Sequence, residues 1–167
     1  MKSGFVSLVG RPNVGKSTLL NNILGYKIAI TSNVAGTTRN VIQGIYNDED
    51  SQIIFIDTPG IHKPKNKLGT YLNRKAYTMA DDVDIILFLV DAKSGFGKGD
   101  KFILERIKEM NKTVFLVLNK VDQVRKDELL KNDFIKRLVK ETPYQNEEDE
   151  ILDDTKLTDL AIPLGAD

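Results

Sequence analysis

Gly10-Arg11-Pro12-Asn13-Val14-Gly15-Lys16-Ser17 lies between an apolar run, residues 5–9, and a segment with helical spacing, residues 16–24. Strand, glycine-rich turn and helix in that order turn a G-x-x-x-x-G-K-[ST] match into a phosphate-binding loop. Gly10 and Gly15 let the backbone curl, so that N–H groups point inward with a helix N-terminus behind them. The candidate cradle is Gly10, Arg11, Pro12, Asn13, Val14, Gly15, Lys16, Ser17 and Thr18. Lys16 supplies a point charge for the β- and γ-phosphates, and the Ser17 hydroxyl is a candidate magnesium ligand.

The rest of the chain suits such a loop. Its 167 residues can form one domain with a sizeable core. Basic and acidic residues balance at 24 each, but unevenly along the chain. Residues 1–140 carry 23 Lys/Arg against 15 Asp/Glu, and residues 141–167 carry 1 against 9. The basic part suits a triphosphate or RNA nearby, and equally a solvated surface. Without cysteine, disulfides and thiolate metal sites are excluded. No apolar run approaches the ~20 residues that span a bilayer, and residues 1–4 leave no room for a signal peptide, so a cytoplasmic protein is expected.

Apolar runs and helical patterns alternate outward from the loop. Residues 41–46 and 52–56 read as two strands joined by a polar turn, an antiparallel hairpin. Residues 28–39 and 58–69 read as loops, and residues 71–80, 101–110 and 127–140 as helices. Residues 84–90 and 113–118 are near-continuous apolar runs, the pattern of strands covered on both faces. Residues 147–154 hold an acidic block that favours a solvated loop, and residues 160–164 are a candidate last strand. The expected fold is α/β: a doubly wound, mostly parallel sheet in three layers with one antiparallel edge hairpin.

Three further motifs fall at strand ends or in loops. Thr37-Thr38-Arg39 follows the first helix, where a threonine hydroxyl can reach the magnesium when a γ-phosphate is present. Asp57-Thr58-Pro59-Gly60 ends a strand; Asp57 can hold magnesium through a water, and Gly60 can offer its N–H to the γ-phosphate. Asn119-Lys120-Val121-Asp122 follows a buried run. Asp122 can accept hydrogen bonds from the N1–H and N2–H₂ edge of guanine, which adenine lacks, and a buried carboxylate there rejects the wrong base strongly. Asn119 would also brace the phosphate loop, and the Lys120 stem would pack over the ring. The nucleotide is therefore read as GTP, and a nucleotide kinase is disfavoured.

Together these motifs resemble the translation-factor-related class of P-loop GTPases, with a Ras-like domain, and within it the Era family of bacterial ribosome-assembly GTPases. Gly10 to Leu19 and Gly36-Thr37-Thr38-Arg39 are shared with the Der and MnmE families, whereas Asp57-Thr58-Pro59-Gly60-Ile61-His62-Lys63-Pro64, Leu68-Gly69 and Val83-Asp84 look like Era in particular. The resemblance implies a GTP-hydrolysing switch with GTP or GDP and Mg2+, the magnesium held by Ser17, Thr38 and Asp57. Thr37 and Thr38 would line the nucleotide. A fifth guanine motif falls on Gly165-Ala166-Asp167, where Ala166 could still offer its N–H to the base.

The family's partners are 16S rRNA and the small (30S) ribosomal subunit, reached through a C-terminal KH domain. Nothing after Asn119 resembles the Gly-x-x-Gly loop such a module needs. The expectation is thus a single G domain over residues 1–167, truncated near the fifth motif, without specific RNA binding and monomeric. Peripheral membrane association is a further property of the family. The position of a water-orienting glutamine is held by Ile61, so the catalytic set is read as Lys16, Asn13, Thr38 and Gly60. Asn13 is expected to hold a potassium ion together with groups near Ser32, Val34 and Thr37. His62, in a Lys/Pro loop, is not assigned as a base. A Der- or MnmE-type domain and a GTP-binding module with little hydrolysis stay open as alternatives.

Overall fold

Among the described residues the apolar runs become strands, three of which carry a motif at the carboxyl end. The computed structural model describes residues 2–27 and 42–125. In chain order these form β1 (Lys2–Gly10), α1 (Lys16–Leu24), β2 (Ile42–Asn47), β3 (Ser51–Asp57), α2 (Lys67–Asp81), β4 (Ile85–Asp91), α3 (Lys98–Lys108), β5 (Thr113–Asn119) and a 3-10 turn (Val121–Gln123). The five strands make one sheet in the order β2-β3-β1-β4-β5. Every pairing is parallel except β2 with β3. Asp48 sets that hairpin: its carboxylate accepts the N–H groups of Asp50 and Ser51 at 2.9 and 2.7 Å, closing the turn with a side chain.

Alternating side chains divide the core in two. Val6, Leu8, Phe55 and Leu89 meet Leu20 of α1 on one face, while Val9, Ile56, Ile86, Phe88 and Val90 meet Ala76 and Ala80 of α2 and Ile103, Leu104 and Ile107 of α3 on the other. These are the three expected layers. The register aligns Leu8 with Asp57 and Asp91 with Asn119, so the phosphate loop, Asp57–Gly60 and Asn119–Asp122 gather beyond the carboxyl ends of the strands, where open α/β sheets hold ligands.

Two helices start earlier than their apolar spacing predicts. Helix α2 begins at Lys67, because the Asn66 side chain caps it by accepting the Gly69 N–H at 2.8 Å. Gly69, read as loop punctuation, is instead a helical residue packed against His62 and Pro64. Helix α3 runs Lys98–Lys108 because Asp100 reaches back to the Gly97 N–H at 2.9 Å. The reading of β5 as covered on both faces is corrected at Phe115, which is 51% exposed; β5 also stands at the edge of the described sheet, paired with β4 alone. The loop at 28–39, the helix at 127–140, the acidic block and the strand at 160–164 lie outside the described residues. No helix among those described is long and apolar enough to cross a membrane.

Candidate functional site

The phosphate loop joins β1 to α1 and touches three other parts of the chain, residues 57–61, 94–100 and 119–120. Gly15 has φ 101, a left-handed value, and a Cβ there would overlap the Asn119 amide nitrogen. Asn119 Nδ2 in turn donates to the Val14 carbonyl at 2.8 Å, and Val14 itself is buried. Lys120 Nζ donates to the Asn13 carbonyl and to Asp91 Oδ2, both at 2.7 Å. From the third side, a Cβ on Gly60 would stand 2.6 Å from Pro12 Cα, so only glycine fits against this turn. The Ile61 N–H donates to the Gly10 carbonyl at 3.0 Å, fastening the end of the Asp57–Gly60 segment to the base of the loop.

Inside the turn, Lys16 is buried and donates to the Gly10 and Arg11 carbonyls at 3.4 and 3.2 Å. Burial lowers its pKa from 10.5 to about 8, against the opposing pull of Asp57. The Ser17 hydroxyl donates to Asp57 Oδ2 at 2.6 Å. Asp57 is fully buried, and burial pushes its carboxyl above the usual range although Ser17 and Lys16 pull it down. Its other oxygen, Oδ1, has no hydrogen-bond partner. A buried carboxylate oxygen without a donor beside a hydroxyl is a hard-oxygen pair suited to Mg2+, directly or through water. Among the described residues no group of three or more His, Cys, Asp or Glu could hold a metal alone, so most ligands of such an ion would come from phosphates and water.

The remaining predicted residues divide. Thr18 is exposed on α1, and Asp122 is exposed in the 3-10 turn, which corrects the expectation of a buried carboxylate at that position. Asp122 can discriminate only once a base covers it. Arg11 keeps its backbone in the loop, but its guanidinium turns outward to Asp100, Ser94 and Gly95. Ile61 is fully buried in the α2–α3 core, where it cannot orient a water. His62 is held by its backbone: its N–H donates to Asn73 Oδ1 at 3.3 Å and its carbonyl accepts from Asn73 Nδ2 at 2.6 Å. Thr37, Thr38 and Ala166, with Ser32 and Val34, lie outside the described residues.

Sequence reading missed Asp91, Asp100 and Asn73. Asp91 stands at the carboxyl end of β4 as Asp57 does on β3 and Asn119 on β5, and that position was the available signal. Burial works to raise the Asp91 carboxyl, but Lys120 and the N–H groups of Ser94 and Lys93 bring it below the usual range.

Residues 5–120 match the model of a family described as 50S ribosome-binding GTPase. The chain belongs to this GTPase family. It is similar, at 44% identity over 86% of its length and a TM-score of 0.79, to an Aquifex aeolicus Era variant bound to GDP.AlF4-. The same identity, coverage and score relate it to Era in complex with MgGDPNP and nucleotides 1506–1542 of 16S ribosomal RNA. The chain spans about half of those proteins, 48% and 49% of their lengths. The G domain of the Thermotoga maritima FeoB iron transporter, at 23% identity and TM-score 0.56, shares the fold.

The depressed Lys16 pKa gives this GTPase a pH dependence with a definite sign. A phosphate-binding role for Lys16 would require its protonated form, which a bound phosphate would favour. With a pKa of about 8 the ammonium is about nine-tenths populated at pH 7 and about one-quarter at pH 8.5. The dissociation constant for GDP is therefore expected to rise about fourfold between those values, with proton uptake on binding near pH 8. Calorimetry in two buffers of different ionisation enthalpy checks this. A flat affinity without proton uptake contradicts it.

Proposed function

We propose that this chain is the GTP-hydrolysing switch of an Era-type protein that acts in small-subunit assembly and 16S rRNA processing. The observation that carries the nucleotide part is the convergence on one turn. Asn119 holds Val14, Lys120 holds Asn13, Gly60 abuts Pro12, and Ser17 meets the buried Asp57. The ribosomal part is supported by likeness to Era, including the complex with 16S rRNA nucleotides. In this reading the protein is cytoplasmic and monomeric, and RNA recognition belongs to a KH module rather than to the residues described above.

The loop residues have separate tasks. Backbone N–H groups around Gly15 receive phosphate oxygens, and Lys16 places its charge at the β- and γ-phosphates. Ser17 and Asp57, with Thr38, would hold Mg2+, which when bound neutralises charge on the phosphates. Gly60 offers its N–H to the γ-phosphate, and Asp122 reads the guanine edge.

Ile61 cannot orient the attacking water as a glutamine would, so hydrolysis would rely on positive charge supplied from elsewhere. The Asn13 side chain would help hold a potassium ion, which would supply that charge at the phosphates; its backbone stands at φ 64 and its carbonyl accepts from Lys120. Such a charge stands where an arginine finger acts in other systems. Multiple-turnover phosphate release is expected to be about tenfold or more faster in potassium than in sodium at equal ionic strength. Equal rates would remove the potassium site, and negligible turnover in both salts would favour a binding module.

A further inference from the structure

One continuous segment, the end of β4 through the first turn of α3, holds the phosphate loop from two sides. At its start Asp91 fixes Lys120, whose ammonium bonds the Asn13 carbonyl. At its end Asp100 accepts from Arg11 Nε at 2.8 Å, and between them Ser94 Oγ and the Gly95 carbonyl accept from the Arg11 terminal nitrogen at 3.0 and 3.2 Å. The crown of the loop, residues 11–13, is thereby pinned on either side of Pro12, the residue that Gly60 touches.

Asp100 is an unusual place to spend a charge. It is fully buried, and a buried carboxylate is costly unless paired and hydrogen-bonded. Its two oxygens are divided between tasks: Oδ2 caps α3 through the Gly97 N–H, and Oδ1 takes Arg11. A helix cap needs no charge, because asparagine or serine serves as well. The charge is needed only for the guanidinium. Gly99 completes the seat, since a Cβ there would stand 2.8 Å from Arg11 Cδ.

We propose that Arg11 and Asp100 are positioning residues that tether the phosphate loop to the start of α3 and thereby set how long a guanine nucleotide stays bound. Arg11, read from sequence as part of the nucleotide cradle, acts through its neighbours rather than by touching phosphate. The first turn of α3 becomes the point through which a displacement of that helix would reach the nucleotide. The inference rests on the reading of the loop as a guanine-nucleotide site.

Asp100→Asn separates the two tasks. One amide oxygen can still cap Gly97, while the amide nitrogen meets Arg11 donor to donor. Dissociation of N-methylanthraniloyl-GDP from the 167-residue chain is expected to be about tenfold faster in this variant, with single-turnover hydrolysis of bound GTP within about twofold of wild type. Arg11→Gln should accelerate release similarly, and the double variant no further than either single one, the mark of a coupled pair. Gly99→Ala is the check against simple unfolding. The added methyl pushes Arg11 aside without altering Asp100 or the cap, so release should again quicken. Alanine's helix preference offsets only part of the cost of the unpaired carboxylate, and a thermal melt confirms that the variant is folded at the assay temperature. Wild-type release rates in Asp100→Asn and Gly99→Ala, or additive effects in the double variant, would overturn the tether alone. A wild-type chain without affinity for the probe would overturn the nucleotide reading and the tether with it.

Discussion

Lys16→Met is expected to weaken GTP binding by about a thousandfold while leaving the nucleotide-free chain as stable as wild type or more so. Two charge-assisted hydrogen bonds to phosphate, at about 1.5–3 kcal/mol each, account for that loss. The stability part follows from burial. Holding the Lys16 ammonium in the turn lowers its pKa from 10.5 to about 8, which corresponds to about 3 kcal/mol against the charged form. Methionine keeps the stem and removes that penalty, as expected where a binding group is maintained at the expense of stability. Fluorescence anisotropy with labelled GTP and a thermal melt without nucleotide read the two effects separately. Binding within tenfold of wild type, or a large fall in melting temperature, would contradict the assignment.

Asp122→Asn is expected to invert the base preference. The carboxylate accepts two hydrogen bonds and donates none, matching the N1–H and N2–H₂ groups of guanine. An asparagine presents one donor and one acceptor, which fits the C2 carbonyl and N–H of xanthine instead. Affinity for GTP should fall by about a hundredfold or more, and XTP should bind the variant better than GTP does. Because Asp122 is exposed in the 3-10 turn, the change should leave folding stability within about 0.5 kcal/mol. Competition between GTP and XTP for the labelled nucleotide measures the ratio. An unchanged preference for GTP would show that the base is read elsewhere.

The features legible from sequence were those with a local cause. Residues 5–9 announced a strand by continuous apolar character, and Gly10 to Ser17 announced its turn by glycine spacing, because strand period and backbone freedom are written into adjacent residues. The start of α2 was legible in principle at Asn66, a capping residue, but Gly69 misled because glycine ordinarily interrupts a helix. The Arg11–Asp100 pair could not be read: 89 residues separate the partners, and only the β1–β4 pairing brings them together. Asp122 was misjudged for a related reason. The buried run before it implied a buried carboxylate, yet the chain leaves β5 through Lys120 at φ 61 and carries Asp122 to the surface.

The most direct test titrates fluorescent guanosine and adenosine triphosphates, in parallel and with magnesium, against the purified chain. The account predicts saturable binding of the guanosine form, with the adenosine form weaker by about a hundredfold or more. Equal binding of the two, or binding of neither, would contradict it.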